Sequence, residues 1–330
     1  MNKLLHLLVF LVSVSCNTYG QISKFGYISY STTNIGDDIQ TIAAMRFLPK
    51  KSTPIDRESI AEFSSKYPLH VIVNGWFMHT KNFWWGDHFS APEISWPPSA
   101  DIIPLFISFH LTPRFYEEAF SEEGIDYLRN HAPIGARDLT TLEELQKRDI
   151  PSYFSGCLTL TLDNPETERD DIIYAVDIPE SCVQQIRSCT NTPVEVITHG
   201  VPLEIYLKRD HRDRLSHAKN ILKRYQKAKC VVTVRLHAAL PCLALGTPVL
   251  LLGEPNERFT GLKNLVRHCT IEDFLNGNYD FNFDTPQENK KDYLPIRDDL
   301  INRVSEWVAK NKPGTAHVQK IDFRSASLSR

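Results

Sequence analysis

The sequence predicts an α/β protein made of two Rossmann-like domains with parallel sheets and a cleft between them. Three observations carry this. Short apolar, β-branched runs alternate with helical stretches along most of the chain, the pattern of parallel β-α-β units. At 330 residues the chain is too long for one ordinary core. A polar, charged segment with a proline, residues 163–171, separates two sets of such runs and reads as a linker, giving domains over 23–165 and 166–313. Charged residues make up 23% and the formal net charge is −3, with no basic stripe, so nothing points to nucleic acid as a partner.

Residues 1–22 have the layout of a secretory signal peptide or short signal-anchor. Lys3 precedes an apolar stretch over 4–14 that is short for a membrane span, and small and polar residues follow. The first strand is expected at 25–31, then a polar turn, Asn34-Ile35-Gly36-Asp37-Asp38, and a helix over 38–47 capped by Asp37 or Asp38. A helix at 58–66, a strand at 70–74 and the turn Gly75-Trp76-Phe77 come next. Residues 79–100 have no period, but Trp84, Trp85, Phe89 and Trp96 argue for an ordered aromatic loop, facing sugar rings or packed on its own core.

A strand over 102–109 ends in His110, and a helix near 115–130 leads to Arg137. Thr141 and Glu144 have capping-box spacing, and 158–162 reads as a strand. The second half continues with strands at 172–176 and 194–198, the latter ending in His199, and a basic-faced helix over 214–227. The strand from Val231 runs into an Arg235-Leu236-His237 corner and a helix, where Pro241 is tolerable only in the first turn. A strand at 249–252, a loop with Arg258 and a helix at 299–310 precede a weakly ordered tail over 314–330. None of the seven cysteines forms a C-x-x-C pair, so no zinc or redox motif is indicated. Cys182 and Cys189 are close enough in sequence for a disulfide in an oxidising compartment.

Four expected strand ends thus carry polar groups: Asn34 to Asp38, His110, His199, and Arg235 with His237. Arg137 and Arg258 stand nearby in the pattern. Singly, a histidine after an apolar strand is a hydrogen-bonded core residue and an arginine before a helix a surface ion pair. Together they occupy the ends at which open α/β sheets bind ligands, and guanidinium with imidazole suits a small, highly charged anion and proton transfer near neutral pH. Neither a P-loop nor a G-x-G-x-x-G motif after the first strand is present, and no metal motif is found.

The blocks Asn34-Ile35-Gly36-Asp37-Asp38-Ile39-Gln40, Asn74-Gly75-Trp76-Phe77, Pro104 to His110, Pro133 to Asp138, Tyr153 to Leu162 and Val234-Arg235-Leu236-His237 with Ala239-Leu240-Pro241 resemble the polysaccharide pyruvyl transferase family over roughly residues 24–265. The resemblance implies a GT-B-like fold and transfer of a pyruvyl group from phosphoenolpyruvate to hydroxyls of a glycan sugar, galactose or another hexose, with formation of a ketal, release of phosphate and no further cofactor. It places the phosphoenolpyruvate on Arg235 and His237, with Leu236 contributing at its backbone, and it maps a further arginine and histidine to Arg137 and His110, with His88 an alternative for the latter. On this reading Arg235 and Arg137 hold the anions, His237 or His110 moves protons, and Asp37 or Asp38 faces the acceptor hydroxyls or the cationic centre. Asn34, Gly36, His199 and Arg258 complete the crevice, and Trp85 offers a sugar platform. The eukaryotic branch implies the secretory pathway, in the Golgi lumen or at its membrane; bacterial relatives imply a cytoplasmic or envelope-associated protein. The runner-up is a glycosyltransferase of the same fold using a nucleotide sugar, and after it a non-catalytic glycan-binding protein.

Overall fold

The computed structural model describes residues 24–77, 96–165, 168–253 and 256–312. The leader-like segment, the tail and most of the aromatic loop, with Trp85 and His88, lie outside them. Among the described residues no helix is long and apolar enough to cross a membrane.

Two parallel sheets organise the chain. The first takes β1 (Lys24–Ser29), β2 (Thr53–Asp56), β3 (Leu69–Phe77), β4 (Ile102–Leu111), β5 (Ile134–Ala136) and β6 (Ser152–Phe154) in the order β2-β1-β3-β4-β5-β6. The second takes β7 (Ile173–Val176), β8 (Val194–Ile197), β9 (Cys230–Thr233), β10 (Val249–Leu252) and β11 (Arg267–Cys269) in the order β11-β10-β9-β7-β8. Nearly all-apolar strands such as Val-Leu-Leu-Leu in β10 fit this, because helices cover both faces of a parallel sheet. The helices of the first half are α1 (Ile35–Met45), α2 (Tyr116–Ala119), α3 (Glu122–Asn130) and α4 (Leu139–Gln146). Those of the second are α5 (Glu180–Cys189), α6 (Leu203–Lys208), α7 (His211–Lys227), α8 (Leu236–Ala244), α9 (Ile271–Leu275) and α10 (Leu294–Lys310).

One hydrophobic cluster joins the sheets, packing Ile35 and Ile39 of α1, Ile221 and Tyr225 of α7, Leu240 of α8 and Val304 of α10 together. The last helix reaches back to the first sheet, where Trp307 meets the rings of Phe25 and His70 edge-on. Beside the linker the halves are also sewn by main chain. Ile35 N–H donates to His199 O at 2.8 Å and Val201 N–H to Thr33 O at 2.8 Å, a short antiparallel bridge centred on Asn34 and Gly200.

Several local expectations change. Residues 158–162 form a 3-10 turn, not a strand: Leu158 to Leu162 are buried on all sides, so the Leu-Thr alternation has no wet face to mark. The helix expected at 58–66 is reduced to the turn Arg57–Ser59. Asn34, not an aspartate, caps α1, accepting from Gly36 N–H at 3.0 Å, because α1 begins three residues earlier than the first aspartate would require. Asp138 caps α4 through Thr141 N–H at 2.9 Å, which displaces the Thr141–Glu144 box. Pro241 sits inside α8, beyond its first turn. Cys182 and Cys189 are free thiols on one helix; seven residues apart, they are separated by roughly 10 Å of helix, too far to bridge.

Candidate active site

Adjacent strands of the first sheet deliver three side chains to its carboxyl edge. Trp76 on β3 stands in register with His110 on β4, their ring centroids 6.1 Å apart, and Arg137 follows β5, its N–H bonded to Phe109 O at 2.8 Å. His110 reaches this face through a bulge. The register slips between Val73 and Gly75, and Ser108 adopts φ 55, a left-handed conformation for a residue with a Cβ. The Ser155 hydroxyl holds the bulge by accepting from Ser108 N–H at 2.9 Å. Two residues on, the re-aimed His110 is fully buried.

His110 Nδ1 lies 2.5 Å from Asp138 Oδ2 and 3.1 Å from the Thr141 hydroxyl, while Nε2 has no hydrogen-bond partner among the described residues. Burial, helped by Arg137, pushes this imidazole down to about 4 against the pull of Asp138. Burial raises Asp138, but His110 and Arg137 outweigh it and hold the carboxyl below its ordinary value. At neutral pH His110 is therefore uncharged, with Nδ1 set against the Asp138 carboxylate and Nε2 buried.

The second half supplies the opposite wall from the ends of β7, β8, β9 and β10. Arg235 is the first residue of the turn into α8 and donates from Nε to Asp177 Oδ2 at 2.7 Å. The same carboxylate accepts from His199 N–H at 3.0 Å and from the Thr198 hydroxyl at 2.6 Å. These bonds with Arg235 overcome burial and keep Asp177 below the usual carboxylate range. His199 is buried, shares a 2.7 Å hydrogen bond between Nε2 and the Tyr225 hydroxyl, and is pushed by burial to about 4. His237 is held well below the ordinary histidine value by burial and then by Arg137 and Arg258, and its Nε2 has no partner among the described residues.

No side chain caps α8, so the N–H groups of Leu236 and His237 stay open at the positive end of the helix. Gly36 lets α1 come close: a Cβ there would lie 3.1 Å from His237 Cβ and 3.3 Å from His199 Nδ1. Arg258, in the turn after β10, stacks its guanidinium 4.1 Å over the Trp76 ring. Burial and then Arg137 lower it to about 10, which leaves it charged at neutral pH.

Arg137 stands apart from the other cations. Its guanidinium is fully buried, and none of its three nitrogens has a hydrogen-bond partner among the described residues; the nearest carboxylate oxygen, on Asp138, is 3.6 Å from Nε. A buried charge left in this state is costly to the fold and marks Arg137 as a candidate functional position. The model of the polysaccharide pyruvyl transferase family matches residues 34–256, more than half of the sequence.

The chain belongs to the polysaccharide pyruvyl transferase family.

That match opens at the Asn34 cap of α1 and closes at Asn256, the cap of the turn that holds Arg258. Among solved structures, the chain is similar to MnaA from S. aureus in its UDP co-structure, at 12% identity and a TM-score of 0.42, covering 87% of this chain and 97% of that one. It is also similar to an uncharacterized protein from Klebsiella pneumoniae, at 13% identity and a TM-score of 0.39, covering 77% of this chain and 94% of that one. No curated protein matches it.

Within this pyruvyl transferase chain, His237 lies in electrostatic reach of Arg137, Arg258, His199 and His110, Arg258 in reach of Arg235, and Gly36 packs against Asn34, His237 and His199. Asp37 is buried near them, accepting from the Thr32 hydroxyl at 2.9 Å and from Gln40 at 3.4 Å. Asp38 is engaged elsewhere. Arg214 grips it with two bonds of 3.1 and 2.7 Å, both side chains buried, and burial still raises the carboxyl to about 6. Sequence reasoning did not single out Trp76, Asp138 or Asp177 for the site. Trp76 stood in a noted turn motif, and its buried, unpartnered indole N–H marks it now.

Proposed function

We propose that the chain transfers a pyruvyl group from phosphoenolpyruvate to two hydroxyls of galactose or another hexose in a polysaccharide, forming a ketal and releasing phosphate. The unpartnered, buried guanidinium of Arg137 is the observation that carries this reading. With Arg258, Arg235 and the open α8 N-terminus it makes a compact cationic hole suited to a three-carbon phosphate-carboxylate. The reading takes the two sheets as the cores of a GT-B-like pair of domains with the donor held between them.

The proton balance fits neutral imidazoles. Two hydroxyl protons leave the acceptor; one goes to the methylene carbon, making it methyl, and the other departs with phosphate as the second C–O bond forms. His237 and His110, each with a buried Nε2 that makes no hydrogen bond among the described residues, accept a hydroxyl proton and pass it on, and the nearby cations stabilise phosphate as it leaves. Asp37 lies beside the positive carbon that forms between the two additions.

The test offers phosphoenolpyruvate or nucleotide sugars to the protein with galactose-terminated glycans. Phosphate release with phosphoenolpyruvate, and a product mass increased by pyruvate less water, is the expected result. Turnover of a nucleotide sugar instead would overturn it.

A further inference from the structure

We propose that a second cavity, of about 720 Å³, binds sugar units of the acceptor polysaccharide that lie beyond the unit receiving the pyruvyl group. The inference rests on the functional reading above, since it assigns a subsite to the same acceptor. The cavity opens at the carboxyl ends of β1 and β2, and the corner between α6 and α7 closes its other side. Its volume falls in the range of specific ligand pockets and exceeds what a single hexose fills.

The lining is built for hydroxyl groups. Ser31, Asp56, Glu58 and Glu62 line it from the first half, and Tyr206 and Arg209 from the second. Glu58 is buried, its carboxyl accepts from Arg57 Nε at 3.0 Å and from Ser31 N–H at 3.3 Å, and burial raises it to about 7. Asp56 is already oriented by the Ser31 hydroxyl at 2.8 Å and by Glu58 N–H at 3.1 Å. At the rim, the Glu62 carboxylate and the Arg209 guanidinium make no hydrogen bond or ion pair with a described residue. Carboxylates, hydroxyls, a phenol and a guanidinium around one space form the donor and acceptor set that vicinal sugar hydroxyls satisfy.

Cavity and anion site are neighbours through consecutive residues. Ser31 lines the cavity, and Thr32 donates to Asp37 of the site. Glu58 lines the cavity, and Arg57 before it donates to the main-chain oxygen of Trp76 behind the site. A polymer whose end unit meets Arg137 and His237 carries further units, and this cavity is tied to that site by consecutive residues on two segments.

The experiment compares wild type with Glu62→Gln/Arg209→Ala, using galactose-terminated oligosaccharides of one to four units. Calorimetry without donor measures binding, and phosphate release from phosphoenolpyruvate measures KM. Wild type is expected to bind longer chains more tightly. The double variant should raise KM and Kd for the four-unit chain about tenfold, while a single galactoside changes less than about twofold. Equal effects on short and long acceptors, or none on either, would overturn the proposal. If phosphoenolpyruvate proves inert the functional reading fails, and calorimetry still decides the subsite: length-dependent affinity lost in the variant supports it, and its absence refutes it.

Discussion

At Arg137 the demands of folding and of chemistry oppose each other. A guanidinium with no hydrogen-bond partner, fully buried, penalises the folded state, and replacing such a charge with an apolar side chain of similar length relieves it. Arg137→Met is expected to gain about 1–3 kcal/mol in urea unfolding and to lose at least about a thousandfold in phosphate release. A loss of stability instead would make the arginine a strut. Ser155→Ala strips the acceptor from Ser108 N–H in the bulge, so a loss of about 1–3 kcal/mol is expected together with a lower kcat, since His110 sits two residues on. The histidines and arginines were legible because a polar group after an apolar strand interrupts a simple pattern. Trp76 and Asp177 were not. Their parts depend on Arg258 stacking 4.1 Å away and on Arg235 bonded at 2.7 Å, contacts that sequence spacing does not encode.

The α1 and α8 N-termini meet so closely that a methyl group on Gly36 would lie 3.1 Å from His237 Cβ, tighter than ordinary van der Waals contact. Gly36→Ala would press on His237 Cβ, the side-chain atom whose position the α8 backbone fixes most closely, so a cost of about 1–3 kcal/mol and reduced turnover are expected by thermal unfolding and phosphate assay. The α1 to α7 contact depends on the Asp38–Arg214 pair. Asp38→Asn alone leaves Arg214 buried against a neutral amide and should cost about 3–5 kcal/mol, whereas Asp38→Asn with Arg214→Leu should recover much of that. Chemical denaturation of the three proteins checks the pattern. The strands were readable from their β-branched runs, and the helix faces from their period. Element ends were less so: Asn34, Asp37 and Asp38 are all competent caps, and only the Ile35 N–H to His199 O bond across the halves explains why the first is used. The 158–162 turn deceived because its alternation is that of a half-buried strand, while Thr161 in fact bonds back to Leu158 O at 2.8 Å.

For the molecule as a whole, the buried ionisable groups set the pH response. His110 and His199 are held near 4 and His237 well below its ordinary value, so from pH 6.5 down to 4 the unfolded chain takes up protons that the native one refuses, and stability falls on acidification. Asp38 near 6 and Glu58 near 7 act oppositely: both are raised, so their penalty vanishes as pH drops through those values toward 4. Three histidines against two carboxylates leave a net loss. Calorimetric melting should be highest above pH 6.5 and lower at pH 5, and a flat profile would contradict the buried, neutral imidazoles. The two-sheet plan was legible from the alternation of runs, but the return of α10 to the first sheet was not, because Trp307 finds Phe25 and His70 from the far end of the chain. The bridge from Thr33 to Val201 has a mechanical consequence. It pins the halves together at the rim of the reaction centre, so any gaping that admits a polymer must swing about that stitch as a fulcrum, and spin labels set beside it would keep a constant separation while labels at the distant lips spread.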